Sequence, residues 1–134
     1  MSFCTAINCI DGRVQLPVIR YLQERWGTLY VDVVSEAGPV RSLSDSADSE
    51  ARRSILRRVG TSIEAHRSRG VAVVAHADCA GNPVDDEQQR RELALSVDYI
   101  AESFPETPVL GLWVDAQSSV AEVCSRRGSL DTRG

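Results

Sequence analysis

The sequence has no apolar run long enough to span a bilayer and no excess of basic residues. Its 134 residues carry a formal net charge of −4. Because nucleic acids and anionic membranes are bound through basic surfaces, this balance argues against both as partners. The N-terminus has no basic segment followed by a long apolar one, so no signal peptide is predicted and a cytoplasmic location is expected. With 43% hydrophobic residues, the chain is expected to form a single domain over residues 1–134.

Motifs of several common chemistries are also missing. There is no glycine-rich dinucleotide motif and no P-loop, so nothing in the sequence argues for nucleotide binding. A phosphatase loop beginning at Cys9 would need arginine at position 15, which is Gln15. A nucleoside-deaminase signature is excluded because His76-Ala-Asp78 lacks its glutamate. The cysteines do not form the paired C-x-x-C repeats of a zinc finger; they are Cys4, Cys9, Cys79 and Cys124.

What the sequence does contain is an alternation of strand and helix patterns. Apolar and β-branched runs predict strands at 3–8, 28–34, 71–75 and 109–114. Helical periodicity predicts helices that begin near Pro17 and Ala51, and Asp85 with Gln88, which resembles a capping box, predicts the start of a third. Residues 35–49 predict a loop, residues 120–124 fit either a fifth strand or a short helix, and residues 126–134 predict a frayed tail. The prediction is a three-layer α/β/α fold with a mostly parallel four-stranded sheet and room for a fifth, antiparallel edge strand.

Metal-ligating residues follow the first and third predicted strands. The first segment reads Cys9-Ile-Asp11-Gly-Arg13, and the second reads His76-Ala-Asp-Cys79-Ala-Gly81. Ligands bind at the carboxyl ends of parallel strands, so the two segments are expected to meet there. Two thiolates and one imidazole suit Zn²⁺, and three protein ligands leave the open position typical of a catalytic site.

Asp11 and Arg13 are candidates for residues that act close to such a metal. A carboxylate two residues from a ligand could bond the metal's water or take the fourth metal position itself. Arg13 could hold that carboxylate in a two-pronged ion pair, although a purely structural salt bridge is the alternative.

Together these residues resemble the β-class carbonic anhydrases, which have C-x-D-x-R after the first strand and H-x-x-C after the third. Glu36-Ala-Gly38 is similar to the family's Ala-Gly turn, and Gly111-Leu-Trp113 is similar to its Gly-Trp segment. This chain differs in having Glu36 where asparagine is common and Ala80 where glycine is usual.

The resemblance implies reversible hydration of carbon dioxide to bicarbonate by a zinc-bound hydroxide. It implies that Cys9, His76 and Cys79 hold the zinc, and that Asp11, positioned by Arg13, orients the hydroxide. In some members the aspartate is instead a fourth ligand in an inactive state. It also implies a substrate pocket that includes Gly38 and Gly81, and a homodimer or tetramer. Hydrolysis of carbonyl sulfide or carbon disulfide, and a catalytically silent zinc-binding module, remain open alternatives.

The remaining candidates have simpler interpretations. Cys4 and Cys124 are expected to be small buried hydrophobic residues. Asp78 is expected to be a loop or capping residue. His66, the second histidine of the chain, is expected to be a solvated surface residue, which leaves buffer or water to carry the proton away.

Overall fold

The computed structural model describes residues 2–129, which contain one five-stranded sheet with helices on both faces. The strands are β1 (Phe3–Cys9), β2 (Tyr30–Glu36), β3 (Val71–His76), β4 (Val109–Val114) and β5 (Val120–Arg126). Their order in the sheet is β2-β1-β3-β4-β5. The first four are parallel and β5 is antiparallel to β4, which confirms the predicted mostly parallel α/β fold.

Four α-helices connect these strands. They are α1 (Gln15–Trp26), α2 (Pro39–Ser44), α3 (Glu50–His66) and α4 (Asp86–Ser103), and a short 3-10 turn, Gly12–Val14, precedes α1. The helix α1 buries Val18 and Leu22 on one face of the sheet. The other three helices bury their apolar residues on the opposite face, which completes the three layers.

The central strand β3 shows why helices cover both faces of the sheet. Every residue of β3 is buried, and its side chains alternate between the two cores. A continuous apolar run of this kind is stable only when both faces of the sheet are covered. The prediction of a central strand from the run at 71–75 is therefore confirmed.

The structure corrects the prediction of a loop over residues 35–49. Strand β2 continues to Glu36, and Pro39 then begins the short helix α2. Val40 and Leu43 of α2 are buried against the core. So short a helix owes its stability to packing rather than to propensity, and the local abundance of serine and aspartate concealed it.

The C-terminal part of the described chain shows which of the two predicted structures, strand or short helix, residues 120–124 adopt. Residues 120–126 form a strand, not a helix. Beyond it, the backbone N–H of Ser129 donates to the carbonyl of Pro105 at 3.1 Å. The predicted tail thus begins inside β5, and its last residues, 130–134, lie outside the described part of the chain. Within residues 2–129, no helix has both the length and the apolar character needed to cross a membrane.

Candidate metal centre

The sheet brings the predicted metal ligands to one edge. Cys9 is the last residue of β1 and His76 is the last residue of β3, and these parallel strands are neighbours. Cys79 follows in the loop after β3, with its Sγ 3.8 Å from the Sγ of Cys9. One ligand atom from each of Cys9, His76 and Cys79 lies within 4.8 Å of the other two. All three residues are at most 5% exposed.

The hydrogen bonding of His76 leaves one nitrogen of its imidazole available to bind a cation. Its Nδ1 donates a hydrogen bond to the carbonyl of Ala77 at 2.8 Å, and a carbonyl can only accept. The neutral ring therefore carries its lone pair on Nε2. That atom is buried and has no hydrogen-bond partner among residues 2–129. A buried acceptor without a partner is costly, and a metal ion would relieve the cost.

The two thiols also favour a cation between them. Burial raises the pKa of the Cys79 thiol, and the neighbouring Cys9 raises it further. Backbone N–H groups of Gly81 and Asn82 act in the opposite direction and lower that pKa. Two adjacent thiolates need a positive charge to offset their repulsion and desolvation. A set of two sulfurs and one nitrogen fits Zn²⁺.

Asp11 and Arg13 form the two-pronged ion pair that their spacing predicts. Arg13 donates from Nη2 to Oδ2 at 2.6 Å and from Nε to Oδ1 at 3.0 Å. Oδ1 also accepts the backbone N–H of Arg13, so Asp11 caps the 3-10 turn. These bonds hold the pKa of Asp11 well below its usual range. Among the described residues, the compact group of ligand atoms does not include Asp11, whose carboxylate here is held by Arg13.

Arg13 also connects the two ligand loops. Its Nη2 donates to the backbone carbonyl of Asp78 at 3.2 Å, and its Nη1 lies 3.4 Å from the Asp78 carboxylate. Asp78 has a positive φ of 57° and its side chain is 88% exposed. Asp78 is therefore a loop residue whose carbonyl is turned toward Arg13.

Two polar residues that the sequence analysis did not identify secure the first loop. Asn8 is fully buried; its amide donates to the carbonyl of Val14 and its Oδ1 accepts the N–H of Cys9. Gln15 donates to the carbonyls of Cys9 and Asp11 at 2.7 and 2.9 Å. The signal for Asn8 was a polar residue inside an otherwise apolar strand.

Two further buried polar residues that were missed, Asn82 and Gln89, secure the second loop. They are 2% and 1% exposed, respectively, and belong to the segment after β3 and to α4. For Gln89 the signal was a polar side chain in phase with the apolar face of its helix. The predicted pocket residues Gly38 and Gly81 lie against each other, where the loop after β2 meets this second loop.

The other candidates lie apart from the metal ligands. Asp32, which holds His66 through Nδ1 at 2.6 Å, is in register with Thr5 on β1, well before Cys9. His66 is exposed at the surface, as predicted. Its ring also stacks on Phe3, and this contact and the bond to Asp32 constrain it. Cys4 is buried beside Thr28 and Cys124 is partly buried on β5.

Glu36, where the sequence departs from the common asparagine, is in register with Cys9 at the end of β2. Its carboxylate is paired with Arg58 of α3 at 3.1 Å. The acidic charge is therefore compensated from the helix rather than left free beside the ligands.

Comparison with known proteins agrees with this geometry. A family model described as "Putative carbonic anhydrase" matches residues 1–124. No curated protein sequence matches the chain. A β-carbonic anhydrase of Sordaria macrospora, one of two described as tetrameric, has a TM-score of 0.61 at 12% identity, over 92% of this chain and 81% of that one. The β-carbonic anhydrase CafA of Aspergillus fumigatus has a TM-score of 0.50 at 14% identity, over 90% of this chain and 74% of that one. The structural likeness shows a shared fold, and the family match over most of the sequence shows that the chain belongs to the carbonic anhydrase family.

Proposed function

We propose that this protein is a zinc-dependent carbonic anhydrase that interconverts carbon dioxide and bicarbonate. The observation that carries the proposal is the buried group of Cys9, His76 and Cys79, in which His76 Nε2 has no partner among the described residues. Family membership and the β-carbonic anhydrase fold support it.

Cys9, His76 and Cys79 would hold the metal and leave one position for water. Bound Zn²⁺ lowers the pKa of a coordinated water to about 7 and so supplies a nucleophile at neutral pH. The burial of the three ligands keeps bulk water away from their sulfurs and from His76 Nε2.

Asp11 would orient the attacking water. Because Arg13 keeps its carboxylate ionised, Asp11 can only accept a hydrogen bond, and it would accept one from the O–H of that water. This would aim an oxygen lone pair at the carbon of carbon dioxide. Asp11 is also our candidate for a fourth metal ligand in an inactive state, which requires that its carboxylate leave Arg13.

Two further parts of the proposal concern the substrate and the proton. We assign Gly38 and Gly81 to the wall of the substrate pocket, because their contact joins the loop after β2 to the loop that carries Cys79. The constraint on His66, and the position of its partner Asp32 in register with Thr5, argue against a role as proton shuttle. Buffer or water would then receive the proton.

We also propose that the chain assembles as a homodimer or tetramer. Ile10, directly after Cys9, is 63% exposed, and Leu16 at the start of α1 is 58% exposed. Large apolar side chains beside a site are often covered by a partner. Light scattering on the purified protein tests this, and a monomer at all concentrations would reject it.

The main experiment measures zinc content and carbon dioxide hydration by stopped flow on the wild type and Cys79→Ser. Cys124→Ser is the matched control, since Cys124 lies outside the ligand group. We expect about one zinc per chain and hydration activity in the wild type and the control, and the loss of both in Cys79→Ser.

The outcomes separate the alternatives. Zinc binding with no hydration at mildly alkaline pH would reject the proposed reaction. Carbonyl sulfide and carbon disulfide would then be assayed, and turnover of either would identify a related hydrolase. Inactivity toward all three would leave a silent zinc-binding module, and absence of bound zinc would reject the site itself.

A further inference from the structure

Helix α4 has a glutamine in a position where its apolar face would suit leucine. Gln89 is 1% exposed and precedes Leu93, Val97 and Ile100 at helical spacing. Buried glutamine is uncommon because its amide must find hydrogen-bond partners away from water. The partners that Gln89 finds belong to the loop that carries two of the three candidate metal ligands.

The Gln89 side chain joins the start of that loop to a residue that follows Cys79. Its Nε2 donates to the carbonyl of His76 at 3.0 Å and to the carbonyl of Asn82 at 3.3 Å. Both neighbours can only accept, so the amide nitrogen must face them. One amide group therefore sets the separation between His76 and Asn82, on either side of Cys79.

Asn82 carries this constraint to the second sulfur ligand. Its backbone N–H donates to the carbonyl of Cys79 at 3.2 Å. Its side-chain amide donates to Oε1 of Glu92 at 2.6 Å, and Gln88 donates to Oε2 of the same carboxylate at 2.9 Å. Helix α4 thus holds the loop at Gln89 and again, one turn later, at Glu92.

The amide oxygen of Gln89 argues against a purely packing role. Gln89 Oε1 is buried and has no hydrogen-bond partner within residues 2–129. A leucine in this position would fill the same apolar face without leaving a buried acceptor unsatisfied. The glutamine is therefore explained by what its Nε2 does for the loop.

We propose that Gln89 is a positioning residue for the metal: by fixing the carbonyls of His76 and Asn82, it directs the side chains of His76 and Cys79 toward a common cation. This inference rests on the proposed function, since it presupposes that the ligand group binds a metal. It assigns to α4 the role of holding the ligand loop in the shape that binds the metal.

The test compares Gln89→Leu with Gln23→Leu. Gln23 is the matched control because its Nε2 also joins a helix to a backbone carbonyl, that of Leu29 at 2.9 Å, in a different part of the chain. Zn²⁺ affinity is measured by competition with a chromophoric chelator. The visible spectrum of the Co²⁺-loaded protein reports the geometry of the ligands, and denaturant unfolding of the metal-free protein reports stability separately.

We expect Gln89→Leu to weaken Zn²⁺ binding by about 10- to 100-fold and to alter the Co²⁺ spectrum, with both unchanged in Gln23→Leu. If leucine prevents folding, the flexible Gln89→Met is measured in its place, with the same expectation. Wild-type affinity and an unchanged Co²⁺ spectrum in the variant would overturn this inference alone. A wild-type protein that binds no metal would overturn both this inference and the proposed function.

Discussion

Gly38 and Gly81 lie backbone against backbone, and neither position has room for a side chain. A Cβ at Gly38 would lie 2.7 Å from the carbonyl carbon of Gly81, and a Cβ at Gly81 would lie 2.6 Å from that of Ala37. Gly38 also has a φ of +59°, which favours glycine. This contact holds the loop after β2 against the loop that carries Cys79. The shape of the site therefore depends on glycine at both positions.

Gly81→Ala should destabilise the protein because the added methyl group overlaps backbone atoms that cannot move independently. We expect the free energy of unfolding to fall by about 1–3 kcal/mol, the usual cost of overpacking. Urea denaturation measures the change. Gly12→Ala is the control, since a Cβ at Gly12 meets nothing within 4 Å. Equal effects of the two substitutions would contradict the importance of the contact.

Arg13→Lys should impair hydration without releasing the metal. Lysine keeps the charge, but it cannot reproduce the two-pronged grip on Asp11 together with the bond to the Asp78 carbonyl. We expect kcat/KM to fall by about 10- to 100-fold with unchanged zinc content. Arg20→Lys, on the exposed side of α1, is the control. Wild-type kcat/KM in Arg13→Lys would show that the pair is only a structural salt bridge.

In the metal-free protein, the thiols of Cys9 and Cys79 should be able to form a disulfide. Cys9 Sγ and Cys79 Sγ are 3.8 Å apart, so a small movement brings them to bonding distance. Treating the metal-free protein with diamide should convert the two thiols into one disulfide while diamide is reduced to the hydrazine. Peptide mass mapping should find a Cys9–Cys79 bridge, with Cys4 and Cys124 still free. Equal bridging in zinc-loaded protein would contradict metal binding by these sulfurs.

Glu50 should make stability depend on pH. Hydrogen bonds from Arg57 and then Arg53 hold the pKa of this carboxylate, at the start of α3, below its ordinary value. A folded-state pKa that is lowered adds stability above the unfolded-state pKa, about 4.3, and that stability is lost as pH falls through the folded value.

Glu50→Gln should therefore be slightly less stable than the wild type at about pH 7, and the difference should shrink when the pH is lowered to about 3, below the unfolded-state pKa. Urea denaturation at both pH values measures it. The side chain is exposed, so high salt should also reduce the difference at neutral pH. A difference that is the same at both pH values would show that the ion pairs with Arg53 and Arg57 contribute nothing.

Much of the fold was predictable because its signals are local. The uninterrupted run at 71–75 could only be a strand covered on both faces, and Asp85 followed by Gln88 correctly predicted the start of α4. Helix α2 was missed because its three buried residues, Pro39, Val40 and Leu43, are too few for a periodic pattern. The strand at 120–126 was left undecided because its stability comes from pairing with β4, and a local pattern does not report pairing between strands.

The sequence by itself determined which residues could hold a metal and at which strand ends they would meet, because ligand chemistry and strand direction are both written along the chain. Only the tertiary structure decided which nitrogen of His76 is free and that the Asp11 carboxylate pairs with Arg13 rather than joining the ligand group. It alone also joined Gly38 to Gly81, and Gln89 to His76 and Asn82 on either side of Cys79. These last contacts join segments that are apart in sequence, and no local pattern encodes the distance between them.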